Sequence, residues 1–198
     1  MTSPITFQNV LDFWFSGEPL GEEQMNRWWK KNVSVDKDIR DRFAGLVDDV
    51  HRGLADEWAV TAEGRLAAIT CLDQFPRNMY REDPRSFHYD ERATALCREG
   101  LALEQHRSLP PLQQAFFVMP LMHSEQMPDQ DECVRQFERL VGESTGAVQG
   151  YLSGSLDFAI KHRDIIARFQ RFPHRNSILG RSSTAEELEF LTQPGSSF

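Results

Sequence analysis

Apolar residues recur at helical spacing from near the first residue to near the last, and that period leaves little room for anything but an all-α fold. Phe7, Val10, Leu11 and Trp14 follow the i, i+3, i+4, i+7 pattern after a Ser3-Pro4 start and before Gly17. Ser34 stands where a cap belongs for a second helix, with the stripe Val35, Ile39, Phe43, Leu46, Val47 and Val50 and a stop at Gly53. A third runs from about Thr61 to Phe75, where Pro76 is expected to end it. A fourth carries Tyr89, Ala93, Leu96, Cys97 and Leu101. The fifth starts at Pro110-Pro111 with Leu112, Phe116 and Met119, and Pro120 should kink or break it. A sixth carries Cys133, Phe137, Leu140 and Val141, and a seventh, from about Val148 to Gln170, carries Tyr151, Ser155, Phe158, Ala159, Ile166 and Phe169. Thr184-Ala185-Glu186-Glu187 has capping-box form and opens a short last helix. No run alternates apolar and polar as a half-buried strand does. The expected fold is one all-α domain over residues 1–198, about eight helices packed as antiparallel hairpins.

Charge then excludes partners. The formal net charge is −8, so no basic footprint for nucleic acid or for an anionic membrane surface is expected. No apolar run approaches the roughly 20 residues of a spanning helix. Met1-Thr2-Ser3-Pro4 lacks the basic start of a signal peptide. Cys71, Cys97 and Cys133 form no CxxC, which points to reduced thiols and a cytoplasmic location. No HExxH, P-loop or GxGxxG is present, so neither metal nor cofactor is expected. His162-Arg163-Asp164 looks like a kinase catalytic tripeptide, but Phe169 stands where asparagine belongs and no Gly-rich loop accompanies it.

The informative residues are polar ones that fall inside apolar stripes. Asp73 lies between Leu66 and Ile69 on the inward arc of the third helix, and His162 interrupts the stripe Phe158, Ala159, Ile166, Phe169. His123 continues the line Leu112, Phe116, Met119, with Glu125 two residues on. A lone inward histidine is more often a satisfied core residue, but three such groups on three helices can meet inside a bundle. The chain also repeats itself. Phe75-Pro76-Arg77-Asn78 and Phe172-Pro173-His174-Arg175-Asn176 both set an Arg-Asn pair just past a Phe-Pro helix stop. Such turns display planar guanidinium forks for carboxylate or phosphate, although arginines there also cap helix carbonyls. Residues 159–181 hold Lys161, Arg163, Arg168, Arg171, Arg175 and Arg181 against Asp164 alone. Lys161, Asp164 and Arg168 fall on the outer face, with Asp164 and Arg168 spaced as an i, i+4 pair. Arg171, His174, Arg175 and Arg181 are not explained that way. Gly180-Arg181-Ser182-Ser183-Thr184 then leads into a helix N-terminus, a place for an anion unless Thr184 is simply its cap.

These blocks, with Leu11-Asp12-Phe13-Trp14-Phe15, Pro120-Leu121-Met122-His123-Ser124-Glu125 and Leu179-Gly180-Arg181, resemble a bacterial family, domain of unknown function 924. Gln170 departs from its pattern, which tends to glycine there. The resemblance implies an all-α fold similar to tetratricopeptide-type hairpins in a cytoplasmic protein, and no established activity. The leading expectation is therefore a site for a small anion. Arg77, Arg171, Arg175 and Arg181 hold it, Asn78 and Asn176 orient it, and His123, His162 or His174 with Glu125 or Asp73 move protons in hydrolysis or group transfer. The alternatives are a helical scaffold for a peptide or protein partner, and a purely structural polar network.

Overall fold

Two stretches, residues 64–76 and 114–122, are buried at every position. A helix with no solvated face has to sit in the middle of a bundle, and these two do. The computed structural model describes residues 5–197. Among them the helices are α1 (Phe7–Phe15), α2 (Glu22–Trp29), α3 (Val33–His51), α4 (Ala62–Met79), α5 (Asp90–Ala102), α6 (Pro111–His123), α7 (Met127–Glu143), α8 (Gly146–Phe169) and α9 (Ala185–Leu191), with no strand. α4 packs on α1, α3, α5 and α6, whereas α6 packs on α4, α5, α7 and α8. One apolar core runs through these contacts. A smaller cluster of Ile165, Ile166 and Phe172 gathers Met127, Phe169 and Phe190 near the C-terminal end of α8.

The structure corrects several expectations. α2 has no counterpart among the eight expected helices; Trp28 anchors it by donating Nε1–H to the Trp14 carbonyl at 2.8 Å. Asn32, not Ser34, caps α3, its Oδ1 accepting from the N–H groups of Ser34 and Val35 at 3.0 and 3.3 Å. The Ser3-Pro4 start lies outside the described residues. Pro76 does not end α4, which runs on to Met79. The ring deletes one helical donor, but side chains pin the following turn. Arg77 forks onto Asp90, Asn78 donates to Asp36 at 2.9 Å, and Arg40 donates to the Met79 carbonyl at 2.6 Å. Arg77 and Asn78 therefore sit on the last helical turn rather than beyond it. Pro120 is likewise inside α6. Phe158 is half exposed, and Arg168 pairs with Glu186 of α9 instead of Asp164.

Candidate functional site

The ends of the two central helices bring the inward polar residues together. α6 stops because Gln130 of α7 donates to the carbonyls of Leu121, Met122 and Ser124 at 3.1, 2.8 and 2.6 Å, taking up acceptors that a helix end leaves open. That stop sets His123 against α4, where its Nδ1 lies 2.6 Å from Asp73 Oδ1. Gln74 donates to the other Asp73 oxygen at 2.5 Å, and Arg77 lies 3.3 Å from Oδ1. Arg77 also holds Asp90 with both arms, at 2.9 Å each. Burial raises the Asp73 pKa, but His123, Arg77 and Gln74 outweigh it and bring the carboxyl down to about 2. Burial and the Arg77 charge hold His123 below the ordinary histidine range despite Asp73. At neutral pH the pair is thus a carboxylate accepting Nδ1–H from a neutral imidazole, which leaves Nε2 with its lone pair.

The second half of the site comes from the turn after α8. The helix ends in a left-handed residue, Gln170 at φ 57°, in the conformation that glycine takes most easily. Phe172 and the short turn Pro173–Arg175 follow. The turn is clamped from the link between α6 and α7: Glu125 accepts the Phe172 N–H at 2.8 Å and both arms of Arg181 at 2.7 and 2.9 Å. Arg181 donates further to the Phe172 carbonyl and, at 2.9 Å, to Asn176 Oδ1. The Phe172 ring is a hub, 5.5 Å from the His162 ring, 5.6 Å from His174 and 4.5 Å from the Arg175 guanidinium carbon. The His162 ring lies 6.5 Å from His123, and its Nδ1–H donates to the Phe158 carbonyl at 2.8 Å. Burial depresses His162 to about 3 and His174 to about 4, so both are neutral at pH 7.

Arg175 is the exception to this pairing. Its side chain is 8% exposed, with Phe87 4.7 Å away as well as Phe172. Among the described residues its Nε has no hydrogen-bond partner, and its nearest carboxylate oxygen, on Asp90, is 3.6 Å from NH1. Burial and the Arg77 charge lower its pKa to about 10, which leaves it protonated at neutral pH.

Of the residues expected at a site, Asp73, Arg77, His123, His162, His174 and Arg175 fall into one connected neighbourhood, with Glu125, Asn176 and Arg181 as the clamp of its turn. Asn78 does not join them; with Arg81 it serves Asp36 of α3. Arg171 holds Glu187 at 2.6 and 2.7 Å, and Thr184 and Glu187 form the capping box of α9, so the expected anion place at that helix start is filled by protein groups. Asp90, Phe87 and Phe172 were not anticipated in the site. Asp90 stands in a helix first turn, where acidic residues are ordinary, and Phe172 reads as a helix stop. Among the described residues, no group of three or more His, Cys, Asp and Glu could hold a metal, and no helix is long and apolar enough to cross a membrane. Two surface hollows, one beside His106 and Arg135 and one beside Gln8 and Glu63, lie elsewhere.

Fold and site together define an all-α domain with a cluster of buried polar groups near the ends of its two central helices. The chain belongs to a bacterial family of proteins of unknown function, DUF924, whose family model matches residues 10–195. It is similar to a solved protein of unknown function, ATU0120 from Agrobacterium tumefaciens, at TM-score 0.79 and 30% identity, covering 93% of this chain and 96% of that one. No curated protein matches.

Proposed function

We propose that the neighbourhood of Arg175 is a binding site for a small anionic ligand, with the His123–Asp73 pair as its proton-transfer group. The observation that carries this reading is Arg175 itself. A buried guanidinium with an unsatisfied Nε is costly, and an anion is the partner that would satisfy it. Asp73 fixes the tautomer and orientation of His123, so Nε2 is the basic nitrogen, the arrangement general-base chemistry requires. Hydrolysis or group transfer on a phosphate- or carboxylate-bearing metabolite is the reaction class this equipment suits. Three buried free cysteines accord with a cytoplasmic setting.

The test is thermal unfolding of the wild type and Arg175→Gln with phosphates and carboxylates against chloride at matched ionic strength. A ligand that binds the folded state raises the wild-type Tm by linkage and leaves the variant unmoved. A tetratricopeptide-like scaffold would respond to extended peptides regardless of Arg175. A purely structural network would respond to no anion and lose stability in the variant.

A further inference from the structure

We infer that the Arg175 site takes a monocarboxylate, held edge-on by the guanidinium, and not a phosphate. The inference rests on the anion-site reading above and narrows it. Three carboxylates belong to the site, on Asp73, Asp90 and Glu125, together with three guanidiniums, on Arg77, Arg175 and Arg181. Both arms of Arg77 are committed to Asp90, and both arms of Arg181 to Glu125. Asp73 is taken by His123 and Gln74. Among the described residues one cationic group, Arg175, is left for a ligand, with the Asp90 carboxylate already 3.6 Å from it.

A phosphate brings up to two negative charges and asks for donors from several directions. Among the described residues the site has no second free cation to meet that charge, and Asp90 would repel it. At the start of α9 the Thr184 and Glu187 N–H groups are already taken by the Glu187 carboxylate and the Thr184 hydroxyl, and that carboxylate would repel an anion there. A carboxylate is planar, carries one charge and matches the in-plane N–H pair of a guanidinium. Nε, the orphaned donor, belongs to one edge of that plane. The partly exposed Phe87 ring beside the guanidinium supplies apolar surface for the hydrocarbon body of an organic acid, and the fully buried Phe172 ring packs against the same guanidinium.

The experiment titrates the full-length protein with acetate, propionate and inorganic phosphate at constant ionic strength. It follows Tm and the Arg175 Nε–H resonance of wild-type protein by NMR, the latter assigned with Arg175→Lys. Propionate at ten times its Kd should raise Tm by about 3–5 °C and shift the Nε–H signal saturably, with phosphate moving neither beyond the chloride control. Arg175→Lys keeps the charge and loses the fork, so its propionate affinity should fall at least about tenfold. If phosphate moves the Nε–H signal as strongly as propionate, the carboxylate inference is overturned and the anion site stands. If neither anion moves it, both are overturned. Where Arg175→Lys fails to fold, Arg175→Gln serves for both the assignment and the affinity comparison, so the wild-type resonance still decides the matter.

Discussion

Two buried guanidiniums in this molecule show how differently one residue type is accommodated. Arg65, with a side chain 6% exposed, donates to Gln105 at 2.6 Å, to the Leu96 and Ala59 carbonyls at 3.0 Å each, and to Glu99 at 3.1 Å. It ties α4 to the end of α5 and to the turn before α4. Arg65→Met strands those carbonyls and should cost about 2–4 kcal/mol in urea unfolding. Arg175 has no such partners, so Arg175→Met should change stability by less than about 1 kcal/mol in either direction. An equal loss in both variants would make Arg175 structural. His106 is a third case. It is 2% exposed, neither ring nitrogen has a partner among the described residues, and burial depresses it to about 4. His106→Leu removes an unsatisfied polar group and should raise stability by about 1–2 kcal/mol; a lower Tm would mean the imidazole is serving a contact the leucine cannot replace.

At the scale of helices, the apolar period carried most of the fold, and the departures have local causes. α2 escaped notice because its eight residues bury only Trp28 among apolar side chains, too little to establish a period. Pro76 misled because a proline's effect depends on what the next turn can grip, and the grips, Asp36 and Asp90, lie on other helices. The same holds for the site. Asp73, His123 and His162 were legible as polar residues in apolar stripes. Phe87, in an irregular turn, was not. Glycine makes the dependence measurable. A Cβ at Gly100 would come within 2.4 Å of Phe117 and 2.5 Å of Arg65, whereas Gly150 and Gly154 of α8 face open space. Gly100→Ala should therefore destabilise by about 1–3 kcal/mol through overpacking. Alanine at Gly150 or Gly154 should instead stabilise by roughly 0.5–1 kcal/mol each. Gln170→Gly, relieving a left-handed side chain at the end of α8, should add about 0.5–1 kcal/mol, read as a shift in urea midpoint at unchanged slope.

For the molecule as a whole, the buried imidazoles set the response to acid. His106, His162 and His174 are held neutral near 4, 3 and 4, while an unfolded chain protonates them near 6.5. Their folded pKa values are depressed, so between about 6.5 and 4 the unfolded state binds more protons. Stability is then greatest above pH 6.5 and falls as the pH drops through that window. These three alone put nearly three protons at stake and bring the slope to about 4 kcal/mol per pH unit near pH 5, and His123, also held below its ordinary range, adds in the same direction. Asp73 works in the same direction but later. Its folded pKa of about 2 lies below the unfolded 3.8, so its contribution is complete above 3.8 and lost only as pH falls toward 2. The order distinguishes the two classes: histidines fail first, carboxylates after. Urea midpoints at pH 7, 6, 5 and 4.5 should decline steeply from below 6.5, and His106→Leu should remove about one proton's share, near 1.4 kcal/mol per pH unit. A midpoint flat down to pH 5 would show that these imidazoles reach water in the native state. An anion bound at Arg175 opposes the decline only where it binds the folded chain. The pH series repeated with a saturating ligand should therefore shift every midpoint upward, and in Arg175→Gln it should shift none.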